Sequence, residues 1–208
     1  MIRLQCATGN PGKLKEFRLA AGLAPVEIEL LPSYREILPC VEDGHTFEEN
    51  ASIKALHYGR HACGLLFADD SGLEVDALGG APGVFSARFS LRNPPLAGPP
   101  LPIDQANNRL LLEKLRGAET RSARFVCAIA LVEGPPECKV RGVWRGTVEG
   151  VIVDEPRGGG GFGYDPLFFC PLLGCTFGEA SEDQKFTVSH RGQALRAMLA
   201  ALRGTSKN

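Results

Sequence analysis

Residues 65–72 read Leu65-Leu66-Phe67-Ala68-Asp69-Asp70-Ser71-Gly72. An apolar run of four leads straight into two adjacent carboxylates. The run reads as a short strand heading for a core, with Gly64 before it and an Asp-Asp-Ser-Gly turn after it. Carboxylates at the end of a buried strand are costly unless something positive meets them: a metal ion, a Lys or Arg, or a ring of backbone N–H groups. That demand makes the chain a candidate enzyme rather than a passive α/β protein.

On the N-terminal side, residues 1–7 read as a first strand and Thr8-Gly9-Asn10-Pro11-Gly12-Lys13 as a turn-rich loop. Leu14, Phe17 and Ala21 then recur at helical spacing, with Gly22 as the stop. Val26, Ile28 and Leu30 alternate with Glu27 and Glu29, which predicts a half-buried strand. Thr46 and Glu49 have the spacing of a capping box. Behind them Phe47, Ala51, Ala55, Tyr58 and Ala62 mark one helical stripe that runs to Gly64.

On the C-terminal side, residues 93–102 hold five prolines and predict a stiff loop. Asp104 is placed to cap a helix carrying Leu110, Leu111 and Leu115, ended by Gly117. Residues 124–132 form the strongest strand signal, and 139–145 and 147–153 read as two more strands split by Gly146. A glycine-rich stretch, 158–163, leads to Tyr164-Asp165-Pro166, and Ala194, Leu195, Met198, Leu199 and Leu202 mark a last helix. The alternation predicts an α/β fold around a mixed sheet, its later strands antiparallel. With no repeat and no linker, residues 1–208 read as one domain.

Hydrophobic residues make up 44% and charged residues 23% of the 208, which is ordinary for a globular protein. A net charge of −1 supplies no global field to recruit nucleic acid or membrane, so an anionic ligand needs a local positive cluster. No apolar run approaches a membrane span and no secretory signal is read at Met1. The seven cysteines are scattered without a CxxC pair, which fits a reducing, cytoplasmic location.

Five clusters carry chemistry. Thr8 to Lys13 combines glycines, a helix N-terminus and a lysine. It reads either as an anion-binding loop or as a plain helix start with a solvent lysine. Glu42-Asp43-Gly44 is a polar turn whose interest lies in partnering Asp69 and Asp70. Those two aspartates suit a hard cation or a general base, or else an Asx-turn. Glu74 and Asp76 extend the acidity and read as a solvated edge. Gly161-Phe162-Gly163-Tyr164-Asp165 brackets an aromatic with glycines, giving a stacking platform or a buried plug. Lys185 suits a phosphate, and Ser189-His190-Arg191 offers planar donors or a helix cap with an exposed first turn. Lys13 and Lys185 stand as counter-charges for the Asp69-Asp70 pair. Together the clusters sketch a nucleotide site.

The chain resembles the inosine triphosphate pyrophosphatase family, in particular its bacterial members that hydrolyse dITP and XTP. The matching segments are residues 7–13, Thr46-Phe47-Glu48-Glu49-Asn50-Ala51, residues 68–73, residues 79–88, residues 160–166 and Ser189-His190-Arg191-Gly192, in family order. The resemblance implies hydrolysis of ITP, dITP or XTP to the monophosphate and pyrophosphate with Mg²⁺, clearing such nucleotides from the pool. It implies an elongated mixed β-sheet flanked by helices, two lobes with a central substrate cleft, and a homodimer. Asp70 would be general base and metal ligand, and Glu42 a metal ligand. Asp69, beside them, reads as a third metal ligand or as an acid behind the ligands. Thr8, Gly9, Asn10, Pro11, Gly12 and Lys13 would hold the triphosphate. Ser71, Phe162, Gly163, Tyr164, Asp165, Lys185, His190 and Arg191 match the substrate contacts. The proline-rich 93–102 segment departs from the family's shorter connection, and Glu179-Ala180-Ser181 matches only loosely.

Overall fold

The computed structural model of the protein describes residues 1–22, 24–93 and 99–205. Most of the proline-rich segment, residues 94–98, lies outside the described residues. Strand β1 (Ile2–Cys6), helix α1 (Pro11–Ala21) and β2 (Val26–Leu30) open the chain, followed by α2 (Phe47–Gly59) and β3 (Leu65–Val75). Helix α3 (Ile103–Lys114) precedes the long strands β4 (Ser122–Glu133) and β5 (Lys139–Ile152). The short β6 (Phe168–Cys170) and β7 (Cys175–Thr176), then α4 (Glu182–Val188) and α5 (His190–Thr205), complete it.

The sheet has seven strands in the order β2-β1-β3-β4-β5-β6-β7. It is mixed: β1 runs parallel to both β2 and β3, while β5, β6 and β7 pair antiparallel. The parallel pair needs a crossover, and α1 supplies it. Two compact units result. One comprises residues 1–70, 127–147 and 189–208; the other comprises 71–126 and 148–188.

In the first unit Phe17 of α1 meets Phe67 of β3 edge-on, with ring centroids 5.1 Å apart, and both side chains are fully buried. Phe125–Val132 in β4 is buried without a break, as in strands covered on both faces. The second unit packs Leu73, Leu111, Leu115, Phe125, Phe168 and Phe177 into one core. In it Phe125 and Phe177 stack with centroids 5.8 Å apart.

Four expectations are corrected. Strand β3 does not stop at Ala68 but passes through Asp69-Asp70-Ser71-Gly72 to Val75, because partners described below meet the two carboxylates and no turn is needed. Residues 139–152 form one strand rather than two. Gly146 stays within it because the carbonyl of His190 passes so close that a Cβ would lie 2.1 Å from that oxygen. Helix α2 ends at Gly59, five residues before Gly64, although Ala62 is still buried. Asp104 sits inside the first turn of α3, whose flanking residue is Pro102. Edge strand β2 buries Ile28 but leaves Leu30 exposed.

Candidate active site

In the first unit the chain leaves β1 and turns into α1 over Thr8–Asn10. Asn10 caps the helix, its Oδ1 accepting from the amides of Gly12 at 2.8 Å and Lys13 at 3.2 Å. Pro11 occupies the first helical position, where a missing N–H costs nothing. Buried Thr8 accepts the Asn10 amide on Oγ1 at 3.1 Å. The amides of Gly12 and Lys13 therefore serve the cap, as a helix start requires. The positive charge of this loop comes from Lys13, whose Nζ lies 2.8 Å from Asp69 Oδ2.

Helix α2 supplies two residues that the sequence reading missed. Asn50, fully buried, accepts the Gly44 amide on Oδ1 at 2.9 Å and donates from Nδ2 to Asp70 Oδ2 at 3.0 Å. It thus ties the Glu42-Asp43-Gly44 turn to Asp70. Lys54, one helical turn on, places Nζ 3.2 Å from Glu42 Oε2. Its spacing from Asn50 on a capped helix was the only local signal. Lys54 takes the place that the sequence reading gave to Lys185 as the second cation beside the acids.

The neighbouring aspartates titrate in opposite directions. Burial pushes the Asp69 carboxyl up, but Lys13, Lys54 and Arg191 outweigh it and hold it below the ordinary 3.8. Burial pushes Asp70 up, and Lys54, Lys13 and the Asn50 hydrogen bond offset only part of this. Burial lowers Lys54, yet Asp69, Asp70 and Glu42 raise it above its usual value. Among the described residues no three or more His, Cys, Asp or Glu gather into a cage for a metal ion. Mg²⁺ does not demand one: it takes one or two carboxylates and keeps water and phosphate oxygens. Buried Asp70 and half-buried Glu42, whose turn is tied to Asp70 through the Gly44 amide and Asn50, offer carboxylates in that number.

The start of α5 completes this unit. Ser189 caps it, accepting the Gly192 amide on Oγ at 3.1 Å. His190 and Arg191 are buried, not in an exposed first turn. Arg191 donates to Glu16 Oε2 on α1 at 2.8 Å, so part of its fork is committed within the protein. Burial lowers the Arg191 pKa, but Glu16 and Asp69 raise it further, keeping it charged.

In the second unit Asp165 Oδ2 accepts both Lys185 Nζ at 2.7 Å and the Phe162 amide at 2.8 Å. The Lys185 ammonium also lies 5.2 Å from the Phe162 ring centroid and 5.4 Å from that of Phe177. Gly161 has φ +73°, and a Cβ there would sit 2.1 Å from Asp165 Oδ2, so the glycine lets the loop fold onto the carboxylate. Gly163 donates its amide to Asp104 at 2.9 Å and accepts Asn108 Nδ2 at 3.0 Å. Tyr164 is buried and donates to the Ser86 carbonyl at 2.9 Å. Ser71 is half-buried in β3. Glu74 and Asp76 are paired with Arg124, at 3.8 Å and 2.9 Å, rather than a bare solvated edge.

Fold and site define an α/β protein on a mixed seven-stranded sheet, each unit holding a lysine paired with a buried aspartate. The model of the Ham1 family matches residues 4–201, and the chain belongs to that family. It is 50% identical over 203 residues to a dITP/XTP pyrophosphatase of an Exiguobacterium species, covering 97% of each chain. It is 47% identical over 204 residues to the dITP/XTP pyrophosphatase of Acidobacterium capsulatum, covering 98% of this chain and 99% of that one. A HAM1 protein structure from Coxiella burnetii matches with a TM-score of 0.80 and 35% identity, covering 98% of this chain and all (100%) of the other. The resemblance read from the six motifs is borne out.

Proposed function

We infer that the chain hydrolyses the non-standard purine nucleoside triphosphates ITP, dITP and XTP to the monophosphate and pyrophosphate, removing them from the nucleotide pool. The observation that carries this reading is the grouping of Asp70, Asn50, Lys54 and Glu42 beside the Lys13–Asp69 pair. It brings a buried carboxylate held by an amide together with cations suited to phosphate oxygens.

Water attacks the α-phosphorus and pyrophosphate leaves. Asp70 orients that water and takes its proton, and Asn50 holds the carboxylate in place. Lys13 and Lys54 stabilise the charge that develops on the departing pyrophosphate. Thr8, Gly9, Asn10, Pro11 and Gly12 shape the loop that seats the phosphates. Asp70 and Glu42 would hold Mg²⁺, with Asp69 the third candidate ligand; when bound, the ion neutralises phosphate charge and acidifies its bound water. Because Lys13 occupies Asp69, the first task of Asp69 is to position that lysine.

Base selection is assigned to two groups. His190 and Arg191 donate to the 6-keto oxygen, which adenine replaces with an amino donor; a donor facing a donor leaves buried groups unpaired. Phe162, with Gly163, Tyr164, Asp165, Lys185 and Ser71, provides a stacking surface whose aromatic face is backed by an ammonium. Residues 1–208 make one domain of this enzyme, and the active form is a homodimer. Seven free thiols support a reducing, cytoplasmic setting. Among the described residues no helix is long and apolar enough to cross a membrane.

The test is hydrolysis of ITP, XTP, GTP and ATP with and without Mg²⁺, with pyrophosphate and orthophosphate measured separately. Pyrophosphate from ITP and XTP, and little turnover of ATP, is the expected result. Orthophosphate as the direct product would place cleavage at the γ-phosphate. Tight binding without turnover would make the chain a nucleotide sensor.

A further inference from the structure

Residues 31–46, between β2 and α2, contain no helix or strand, yet they carry Glu42. A loop of this length needs ties to hold one carboxylate in a fixed place. The Lys54–Glu42 pair and the Asn50–Gly44 hydrogen bond secure its end. Its middle is secured by two tyrosines. The rings of Tyr34 and Tyr58 lie 4.8 Å apart at 33°. Tyr58 also accepts the Cys40 amide at 3.3 Å, and His57, packed edge-on against Tyr58, puts Nε2 2.8 Å from the Leu38 carbonyl.

Tyr34 also lies against the Thr8–Lys13 loop. A Cβ on Gly9 would lie 3.3 Å from Tyr34 Cε1, so the ring packs against Gly9 and a side chain there would have to push it aside. Ser33, just before Tyr34, has a φ of 55°, which is uncommon for a non-glycine residue.

We propose that Tyr34, braced by Tyr58, is a positioning residue: it clamps the Glu42-bearing loop onto the Thr8–Gly9 turn and so sets the spacing between the phosphate-holding and cation-holding groups. The proposal rests on the reading of Lys13 and Glu42 given above. Neither tyrosine touches the reacting atoms. Their effect reaches catalysis through Gly9 on one side and Glu42 on the other.

Full-length Tyr34→Ala, Tyr34→Phe and Tyr58→Phe are compared with wild type. Three measurements apply: ITP hydrolysis across a Mg²⁺ titration, Mn²⁺ binding by electron paramagnetic resonance without nucleotide, and thermal melting. Tyr34→Ala is expected to raise the Mg²⁺ half-saturation and the KM for ITP by about 10-fold, since loosened geometry of this kind costs factors of this order. Mn²⁺ binding weakens by a similar factor, while kcat at saturation changes by less than about 3-fold. Tyr34→Phe keeps the ring against Gly9 and restores most of the loss; Tyr58→Phe falls between the two. Unchanged KM, Mg²⁺ half-saturation and Mn²⁺ binding in Tyr34→Ala overturn the proposal. So does a loss of kcat that only follows the folded fraction in the melt. A wild type that fails to hydrolyse ITP overturns the reading of the site instead, and is seen before any variant is made.

Discussion

Lys13 and Asp69 in the first unit, and Lys185 and Asp165 in the second, form pairs of nearly equal length, 2.8 Å and 2.7 Å, on buried aspartates; Lys185 is buried too, Lys13 only half so. Their neighbours differ. Around the first stand Asp70, Glu42 and Lys54, and the two adjacent aspartates shift in opposite directions, burial raising Asp70 while Lys13, Lys54 and Arg191 hold Asp69 down. Around the second stand the rings of Phe162 and Phe177, with the Phe162 amide on the same carboxylate oxygen. One bonded pair thus serves two ends. In the function proposed above, the pair set among further acids serves proton transfer and charge neutralisation, and the pair set under aromatic rings stiffens a glycine loop beneath the proposed stacking face.

The sharpest way to break this comparison is to remove one acid from each unit. Asp70→Asn should lower kcat by at least about 10²–10⁴-fold, the range a general base contributes, with an unchanged circular dichroism spectrum. Asp165→Asn should act mainly on KM. Equal losses of kcat in the two variants would erase the distinction. The next largest effect concerns the lysines. Lys13→Ala and Lys185→Ala each remove the ammonium bonded to a buried carboxylate; breaking such a pair costs up to about 3–5 kcal/mol, less where Lys54 and Arg191 still face Asp69. Urea denaturation measures this, and a loss under about 1 kcal/mol in either variant would show that its pair is solvated.

Phe162→Ala removes the proposed platform. Base–aromatic stacking contributes about 1–3 kcal/mol per base, so the KM for ITP should rise about 10-fold or more with kcat nearly unchanged. An unchanged KM would assign Phe162 to packing alone. The smallest effect is a pH dependence of stability in the metal-free protein. Asp69 is held below its ordinary value of 3.8 in the fold. The folded state therefore binds this proton more weakly than the unfolded chain does. The stability it contributes is fully present above the unfolded value and is lost as pH falls through the lowered folded value. The stability gap between wild type and Asp69→Asn should be constant near neutrality and shrink below about pH 3.8. A gap independent of pH would remove the charge from the account of the pair.

Much of the fold was legible because its causes are local. The Thr46–Glu49 capping box forms as the spacing predicts, with Thr46 accepting the Glu49 amide at 3.1 Å. Gly22, with φ 51°, ends α1 where the periodicity stops. The errors arose where a distant group overrode a local signal. Asp69-Asp70-Ser71-Gly72 has turn composition, but Lys13 and Asn50 supply what the carboxylates need and the strand continues. Gly146 looks like a strand break, but the nearby start of α5 explains its missing side chain.

The candidate site divides in the same way. The residue types, and the family they resemble, are written in short motifs such as Thr8–Lys13 and Ser189–Gly192. Which charge meets which is not. Lys13 and Asp69 are 56 positions apart, Asn50 and Asp70 are 20 apart, and Arg191 and Glu16 are 175 apart. Composition and periodicity determined that this chain would bury acids, basic groups and aromatics on an α/β frame. The tertiary structure alone decided that Lys54 joins the acids, that Lys185 turns to Asp165, and that Tyr34 packs against Gly9. Ionic and hydrogen-bond energies depend on distances of a few ångströms, and residues far apart in sequence acquire such distances only when the chain has packed.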